Sequence, residues 1–271
     1  MNYTLGESLL RIENVSFTAG DFPILTGVNA EVRKIEAGEC HGQVVGFLGL
    51  SGSGKTTLFR IIAGLVKPTT GRVVLNHADK PVHPGEVGVV AQNYPLFDHR
   101  TVYSNLLIAA KKKTPNEKEA HDRVLAYLEE FQLMERRSAY PAQLSGGQEQ
   151  RVAIIQQVLC SEHFLLFDEP FSGLDVKMED KTIALIQKVA SMDAFNTVIV
   201  VTHDVTAACS VADHLWVLGG AREENGKRVE GSRIVREYNL LDNGLCWHPE
   251  LVNEPVFTDF VRDVKAYFKT L

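Results

Sequence analysis

Gln43-Val44-Val45-Gly46-Phe47-Leu48 runs directly into Gly49-Leu50-Ser51-Gly52-Ser53-Gly54-Lys55-Thr56, and Thr57 then leads into a segment with Leu58, Ile61, Ile62 and Leu65 at helical spacing. The first run reads as a short buried strand, and the last as the apolar face of a helix. Between them lies a Gly-x4-Gly-Lys-Thr loop, which chance places in roughly one chain per hundred of this length, before its strand-to-helix setting is counted. Glycines let successive backbone N–H groups turn inward, and the helix that starts near Lys55 adds its positive end. Such a loop, here Gly49, Ser51, Gly52, Ser53, Gly54, Lys55, Thr56 and Thr57, is built to hold the phosphates of a nucleotide. Lys55 is placed to reach the β- and γ-phosphates, and the Thr56 hydroxyl to ligate Mg2+.

Two further stretches follow in order: Leu144-Ser145-Gly146-Gly147-Gln148, and Phe167-Asp168-Glu169-Pro170 at the end of the strand-like run from Phe164. Acids that close a strand emerge at the carboxyl edge of a sheet, where α/β proteins bind ligands. Two acids at a strand end are more often a helix cap or a solvated turn. Downstream of a phosphate loop they fit a Mg2+-holding aspartate, Asp168, and a carboxylate that polarises an attacking water, Glu169.

The chain has 271 residues, 45% hydrophobic and 23% charged, which suits one large α/β domain or two small ones. A formal charge of −6 gives no global field for nucleic acid and no polybasic membrane anchor. Lys111-Lys112-Lys113 reads as a solvated helix end. Cys40, Cys160, Cys209 and Cys246 have no metal-type spacing and read as reduced thiols in a cytosolic setting. No apolar stretch approaches the ~20 residues that span a bilayer, so attachment to a membrane is expected through a partner.

Leu9 to Phe17 and Ile24 to Ile35 read as an antiparallel pair turning at Gly20-Asp21. Val73 to Leu75 and Val87 to Ala91 are short strands. Helical periodicity runs from about Asn93 to Cys160 and includes a charged helix from Glu117 to Phe131. Strand patterns return at Phe164 to Phe167, Thr197 to Val201 and His214 to Leu218, with a helix from Lys177 to Ala190. Alternating strands and helices imply a mainly parallel sheet. The expected division is 1–92 and 161–219 for a nucleotide-binding core, 93–160 for a helical subdomain, and 220–271 for a C-terminal extension. That extension ends in a helix with Phe257, Phe260, Val261, Val264, Tyr267 and Phe268 on one stripe, expected to pack on the chain's own surface.

The three motifs together resemble the nucleotide-binding subunit of an ATP-binding-cassette (ABC) transporter, from about Leu9 to Leu218, with Leu144 to Gln148 as the family signature. The resemblance implies a P-loop NTPase core with an N-terminal antiparallel β subdomain and an inserted helical subdomain. It implies Asp168 as the Walker B aspartate and Glu169 as the catalytic base. Gln92 resembles the Q-loop glutamine that touches Mg2+ and water, Ser172-Gly173-Leu174-Asp175 the D-loop, and His203 the switch histidine. Two such chains would pair so that Ser145 and Gly147 of one face the γ-phosphate held by the other, with ATP and Mg2+ as the bound species.

Three places depart from the family pattern. Ala19 stands where an aromatic often stacks on adenine, leaving Phe17 or Phe22 as substitutes. Gln156 and Gln157 replace a common Ala-Arg-Ala sequence, and Ile35 to His41 is longer than the usual approach to the loop. The function implied is ATP hydrolysis that powers separate transmembrane permease subunits, with a substrate-binding protein in the same system and the chain on the cytoplasmic face of the membrane. Import is favoured, with Gly244-Leu245-Cys246-Trp247-His248-Pro249 similar to the nitrate, sulfonate and taurine importer group. Alternatives are a soluble ABC ATPase acting on nucleic acid or translation, a cassette of an exporter or lipid-trafficking system, and a regulatory cassette without turnover.

Overall fold

The computed structural model describes residues 3–36, 42–76, 80–161, 163–222, 228–246 and 251–271. Cys40 and the stretch 247–249 lie outside them, as does the end of the approach segment.

The opening run forms β3 (Gln43–Gly49), buried along its whole length. It sits at the centre of the molecule because parallel neighbours flank it on both sides: β7 (Thr197–Thr202) and β8 (His214–Arg222). Next to β7 come β6 (Phe164–Asp168) and then β5 (Gly88–Val90), both parallel. The antiparallel pair of the N-terminus is β1 (Thr4–Ala19) with β2 (Phe22–Glu36), and β4 (Thr70–Leu75) lies on the outside of β1. Among the described residues, nine strands join one curled sheet in the order β4-β1-β2-β9-β8-β3-β7-β6-β5. The joining strand, β9 (Arg228–Asn239), runs antiparallel to β8 and touches β2 at Leu25 and Ser232. The sequence pattern did not reveal β9, because residues 230–239 include no buried side chain and so carry no apolar period.

Successive residues of the central strands face opposite sides, as the pleat requires. Val44, Leu165, Phe167, Val198 and Val200 join one core, while Val45, Phe164, Leu166, Ile199 and Val201 join another. The first core continues without a break into α2 (Val102–Lys113), α3 (Glu117–Glu130), α4 (Gly146–Cys160) and α5 (Val176–Ser191). The second takes in α1 (Lys55–Ile62) and the N-terminal strands. Leu58, Phe59, Ile61 and Ile62 are each at most 4% exposed, and full burial of such side chains is worth about 1.5–3 kcal/mol apiece before entropy is charged.

Leu65 does not share that face: it is 56% exposed. The helix ends at Ile62, and Gly64 turns left-handed at φ 72. The N–H groups of Leu65 and Val66 both fold back to the Arg60 carbonyl, so the period is broken before Leu65.

The C-terminal stripe behaves as its pattern predicts. In α7 (Pro255–Phe268), Phe257, Val261 and Val264 are buried in a third core with Leu215, Val217 and α6 (Val205–Val211). The lysines ending α2 are engaged: Lys112 donates to the Gly85 carbonyl at 2.9 Å, Lys111 pairs with Glu117, and Lys113 donates to the Ser161 carbonyl.

Candidate nucleotide-binding site

The turn from β3 to α1 is shaped by three glycines. Gly52 and Gly54 take φ values of 80 and 87, a region that side chains avoid. At Gly49, an added Cβ would lie 2.6 Å from the Ser53 Oγ and 3.1 Å from the Leu218 carbonyl, so a side chain would fill the cradle. The Ser53 hydroxyl is buried and lacks a partner among the described residues. A buried hydroxyl left unpaired in this way is a group waiting for an acceptor such as a phosphate oxygen. Lys55 donates to the Gly49 and Leu50 carbonyls at 2.7 and 3.1 Å, folding its ammonium into the space the loop encloses. Burial pulls its pKa below the usual lysine range, and the Glu169 and Asp168 carboxylates oppose that shift. Ser51, Gly52 and Thr56 are exposed at the mouth, and Thr57 is half-buried.

The strand end of β6 brings the acids to the same place. Burial first, and the adjacent Glu169 charge second, raise the Asp168 carboxyl above the usual carboxylate range, against Lys55 and Arg60. Glu169 sits at φ 47, a left-handed conformation unusual for glutamate. One of its oxygens, Oε2, receives three groups: the Thr202 hydroxyl at 3.0 Å, the His203 backbone N–H at 3.3 Å, and His203 Nδ1 at 2.9 Å. Strain of this sort concentrates where a functional group must be aimed. Thr202 was not foreseen as a site residue, and its one signal was its place before His203.

Gln92 is exposed in the turn after β5, closed by the Tyr94 N–H donating to the Ala91 carbonyl at 3.1 Å. The turn is held from two sides. Gln157 of α4 accepts the Val89 N–H at 3.1 Å, which gives that glutamine its role. Asn105 of α2 is fully buried and binds the loop at the Phe97 N–H (2.8 Å) and at the Phe97, Arg100 and Thr101 carbonyls.

Ser145 and Gly147 begin α4. The Ser145 N–H is capped by the Gln148 side chain at 3.0 Å. A Cβ at Gly146 would meet nothing within 4 Å, and at Gly147 only the Met178 Cε at 3.8 Å, so this edge is open rather than packed. It lines a cavity of about 760 Å3 together with Tyr94, Leu174 and Met178. Asp175 caps α5 by accepting the Met178 N–H at 2.9 Å. The predicted residues therefore fall in two groups. Lys55, Asp168, Glu169 and His203 converge on the phosphate loop, whereas Ser145, Gly147 and the segment before Asp175 share the cavity. The one hydrogen bond between the two groups among the described residues is local in the chain, from the Ser172 N–H to the Glu169 carbonyl at 3.2 Å.

At the far end of the loop, Ile24 and Leu25 of β2 lie against Gly54, where a Cβ would approach them to 3.0 and 3.1 Å. The hairpin tip just beyond pairs Ala19 directly with Phe22, so both side chains share one face. Phe22 is 76% exposed, whereas Phe17 is partly buried against the second core.

The ABC transporter family model matches residues 33–172. Sulfate/thiosulfate import ATP-binding protein CysA 2 of Rhizobium meliloti is 34% identical over 89% of this chain and 69% of its own length. The CysA protein of Thermosynechococcus vestitus is 38% identical over 82% of this chain and 65% of its own. The chain thus spans about two thirds of the length of these relatives. Among solved structures, cbiO1 of Clostridium perfringens, part of the ABC transporter complex cbiONQ, superposes with a TM-score of 0.68 at 25% identity, covering 96% of this chain and 95% of that one. An ATP-binding cassette solved as a dimer in a post-hydrolysis state with ADP and phosphate bound gives 0.64 at 28% identity, covering 86% of this chain and 99% of that one. Phosphate loop, signature, acidic strand end and nine-stranded sheet agree with these matches, and the chain belongs to the ABC transporter family as an ATP-binding ATPase subunit.

Proposed function

We propose that this chain hydrolyses Mg-ATP in a dimer of two cassettes and thereby drives import of a small anion through separate permease subunits. The observation that carries the reading is the division of the site: a phosphate loop with its acids, and a signature edge with open space beside it that none of the loop residues lines. An edge left open in one protomer suits a γ-phosphate held by another.

In this reading the backbone N–H groups from Gly49 to Lys55 and the Ser53 hydroxyl bind the phosphates, and Lys55 leaves its carbonyl partners to pair with them. Phe22 stacks on the adenine in place of the residue missing at Ala19. Thr56, Asp168 and Gln92 offer hard oxygen donors that fit Mg2+, which supplies charge neutralisation on the phosphates when bound. Among the described residues no group of three or more acids, histidines or cysteines is arranged to hold a metal ion by itself, and a Mg2+ ion that would also be held by substrate phosphates needs none. Glu169 accepts the proton of the attacking water, while His203 and Thr202 fix its orientation and His203 is positioned to meet the γ-phosphate. Ser145, Gly147 and Asp175 act across the dimer interface.

Residues 1–92 and 161–219 then form the catalytic part, 93–160 the part that presents the signature, and 220–271 an extension anchored by α7. None of the helices in the described residues is long and apolar enough to cross a membrane. In this reading, which rests on the import named for the relatives, separate permease subunits carry the cargo and the chain works on their cytoplasmic face. The anion class follows the sulfate/thiosulfate import named for the relatives. The test is phosphate release from ATP by the purified chain, with and without Mg2+, beside Lys55→Ala. Metal-dependent release that the variant loses supports the reading, and equal release by the variant contradicts it.

A further inference from the structure

Among the described residues the seam between β2 and β9 is registered at one place, Leu25 beside Ser232, where the Thr26 hydroxyl also donates to the Glu230 carbonyl at 2.7 Å. Further along, no ladder joins these two strands, and a cavity of about 350 Å3 opens between β2, β3, β8 and β9. Its floor is apolar: Val32, Val45 and Trp216 line it, none of them more than 3% exposed. The Trp216 ring is held edge-on by Phe47, with centroids 6.4 Å apart. Val45 precedes Gly49 on β3, so at the rise of a strand the cavity lies roughly 13 Å from the phosphate loop. None of the residues assigned to the nucleotide lines it.

Both signs of charge stand around this opening. Glu31 and Arg33 share one face of β2, because alternate residues of a strand do so, and Glu237 lines the same cavity from β9. Arg33 gives its Nε–H to the Gly6 carbonyl at 3.0 Å, and its other guanidinium nitrogens have no partner among the described residues. Neither carboxylate has a hydrogen bond or ion pair among those residues, so the charges border one space without neutralising each other. Desolvation holds the Glu237 carboxyl above the ordinary range, and burial holds His214 below its own, against the pull of Asp242. Asn239 is already engaged: its amide donates to the Tyr3 hydroxyl at 2.7 Å and its oxygen accepts the Leu241 N–H at 3.0 Å. Gln43, on the same face of β3 as Val45, is 2% exposed, and its Oε1 lacks a partner among the described residues. The two glutamates and His214 are not gathered closely enough to hold a metal ion. Opposite charges kept apart above an apolar floor complement one small molecule that carries both.

We propose that this cavity binds a free amino acid with an apolar side chain: Arg33 pairs with its carboxylate, Glu31 and Glu237 with its ammonium group, and the side chain lies on Val32, Val45 and Trp216. A simple amine would leave Arg33 unpaired, and a simple carboxylate would leave both glutamates so. A volume of about 350 Å3 is at the small end for a ligand pocket and suits a molecule of this size rather than a nucleotide. The bound molecule closes the seam that the backbone leaves open, tying β2, which braces Gly54 through Ile24 and Leu25, to β9.

The test is isothermal titration of the full chain, free of nucleotide, with L-leucine and with L-phenylalanine. Isoamylamine and 4-methylpentanoate serve as controls, since each keeps the leucine skeleton and only one of its charges. At least one of the amino acids should bind at a single site and raise the melting temperature. The amine and the acid should each bind about tenfold more weakly or not at all. Glu237→Gln and Arg33→Gln, both at exposed positions, should each weaken the amino acid by about tenfold or more, while their own melting temperatures stay within about 2 °C of the parent. Amine or acid binding as tightly as the amino acid would overturn the pairing of both charges. Undiminished binding in either variant would remove the ligand from this cavity, and neither heat nor a melting shift from either amino acid at millimolar concentration would remove the site. The readout involves no ATP turnover, so its failure leaves the reading of the nucleotide site untouched.

Discussion

Gly54→Ala and Gly52→Ala form a matched pair of perturbations in the phosphate loop, and the structure separates their costs. Both glycines have φ far into the left-handed half, at 87 and 80, so each alanine carries a strain of about 1–2 kcal/mol. Around Gly52 an added Cβ meets nothing within 4 Å, and strain is the whole effect. At Gly54 the same atom lies 3.0 Å from the Ile24 Cγ2 and 3.1 Å from the Leu25 Cδ2. Leu25 is 1% exposed and has no room to retreat, which adds an overpacking cost of about 1–3 kcal/mol. Gly54→Ala should therefore unfold at a lower temperature than Gly52→Ala, by about 2–12 °C at roughly 2–4 °C per kcal/mol. Circular-dichroism melts without nucleotide measure this, and a urea titration checks the ranking. Equal midpoints, or a lower midpoint for Gly52→Ala, would refute the claim that β2 braces the start of α1.

Phe22→Ala should weaken ATP binding about tenfold, within the 1–3 kcal/mol of a base stack, yet leave inhibition by tripolyphosphate unchanged; equal loss for both ligands would remove Phe22 from the base site. Asp168 keeps its proton to higher pH when folded than unfolded, so from the ordinary value of 3.8 up through its raised value the unfolded chain binds fewer protons and stability falls as pH rises. Asp168→Asn should accordingly melt slightly higher than the parent at pH 7, by no more than about 1 kcal/mol once solvent screening of this half-buried group is allowed for. The gap should close below the usual carboxylate range, and a variant that melts lower at pH 7 would contradict the sign. Burial pushes the Cys209 thiol up to about 12 and raises Cys246 as well, leaving only about one Cys209 thiol in 10^4 ionised at pH 8. A thiol reagent should spare both until urea unfolds the chain, and prompt labelling of either would show a looser third core.

The phosphate loop was legible because its conformation admits few residues: the positive φ values at Gly52 and Gly54 demand glycine, and the sequence shows it. Buried strands such as Val198 to Val201 were legible for a similar reason, as continuous apolar runs. What stayed hidden depends on partners distant in the chain. Nothing near Gln157 announces that it accepts the Val89 N–H across a separation of 68 positions. Nor does the sequence around Tyr94 show a left-handed backbone, since tyrosine is an unusual occupant. Phe17 and Phe22 were equal choices by sequence, and the register of the hairpin favours Phe22, which faces solvent opposite Ala19.

The mass of Glu169→Gln in solution, measured by light scattering on a sizing column with and without Mg-ATP, decides whether nucleotide is held between two copies of the chain. Loss of the base should leave binding intact and stop turnover, so the account predicts a monomer without nucleotide and a dimer with it, reversed when Ser145 is also replaced by a bulky residue. A chain that binds Mg-ATP at saturation and remains monomeric, or a dimer indifferent to Ser145, would contradict a nucleotide held between two copies.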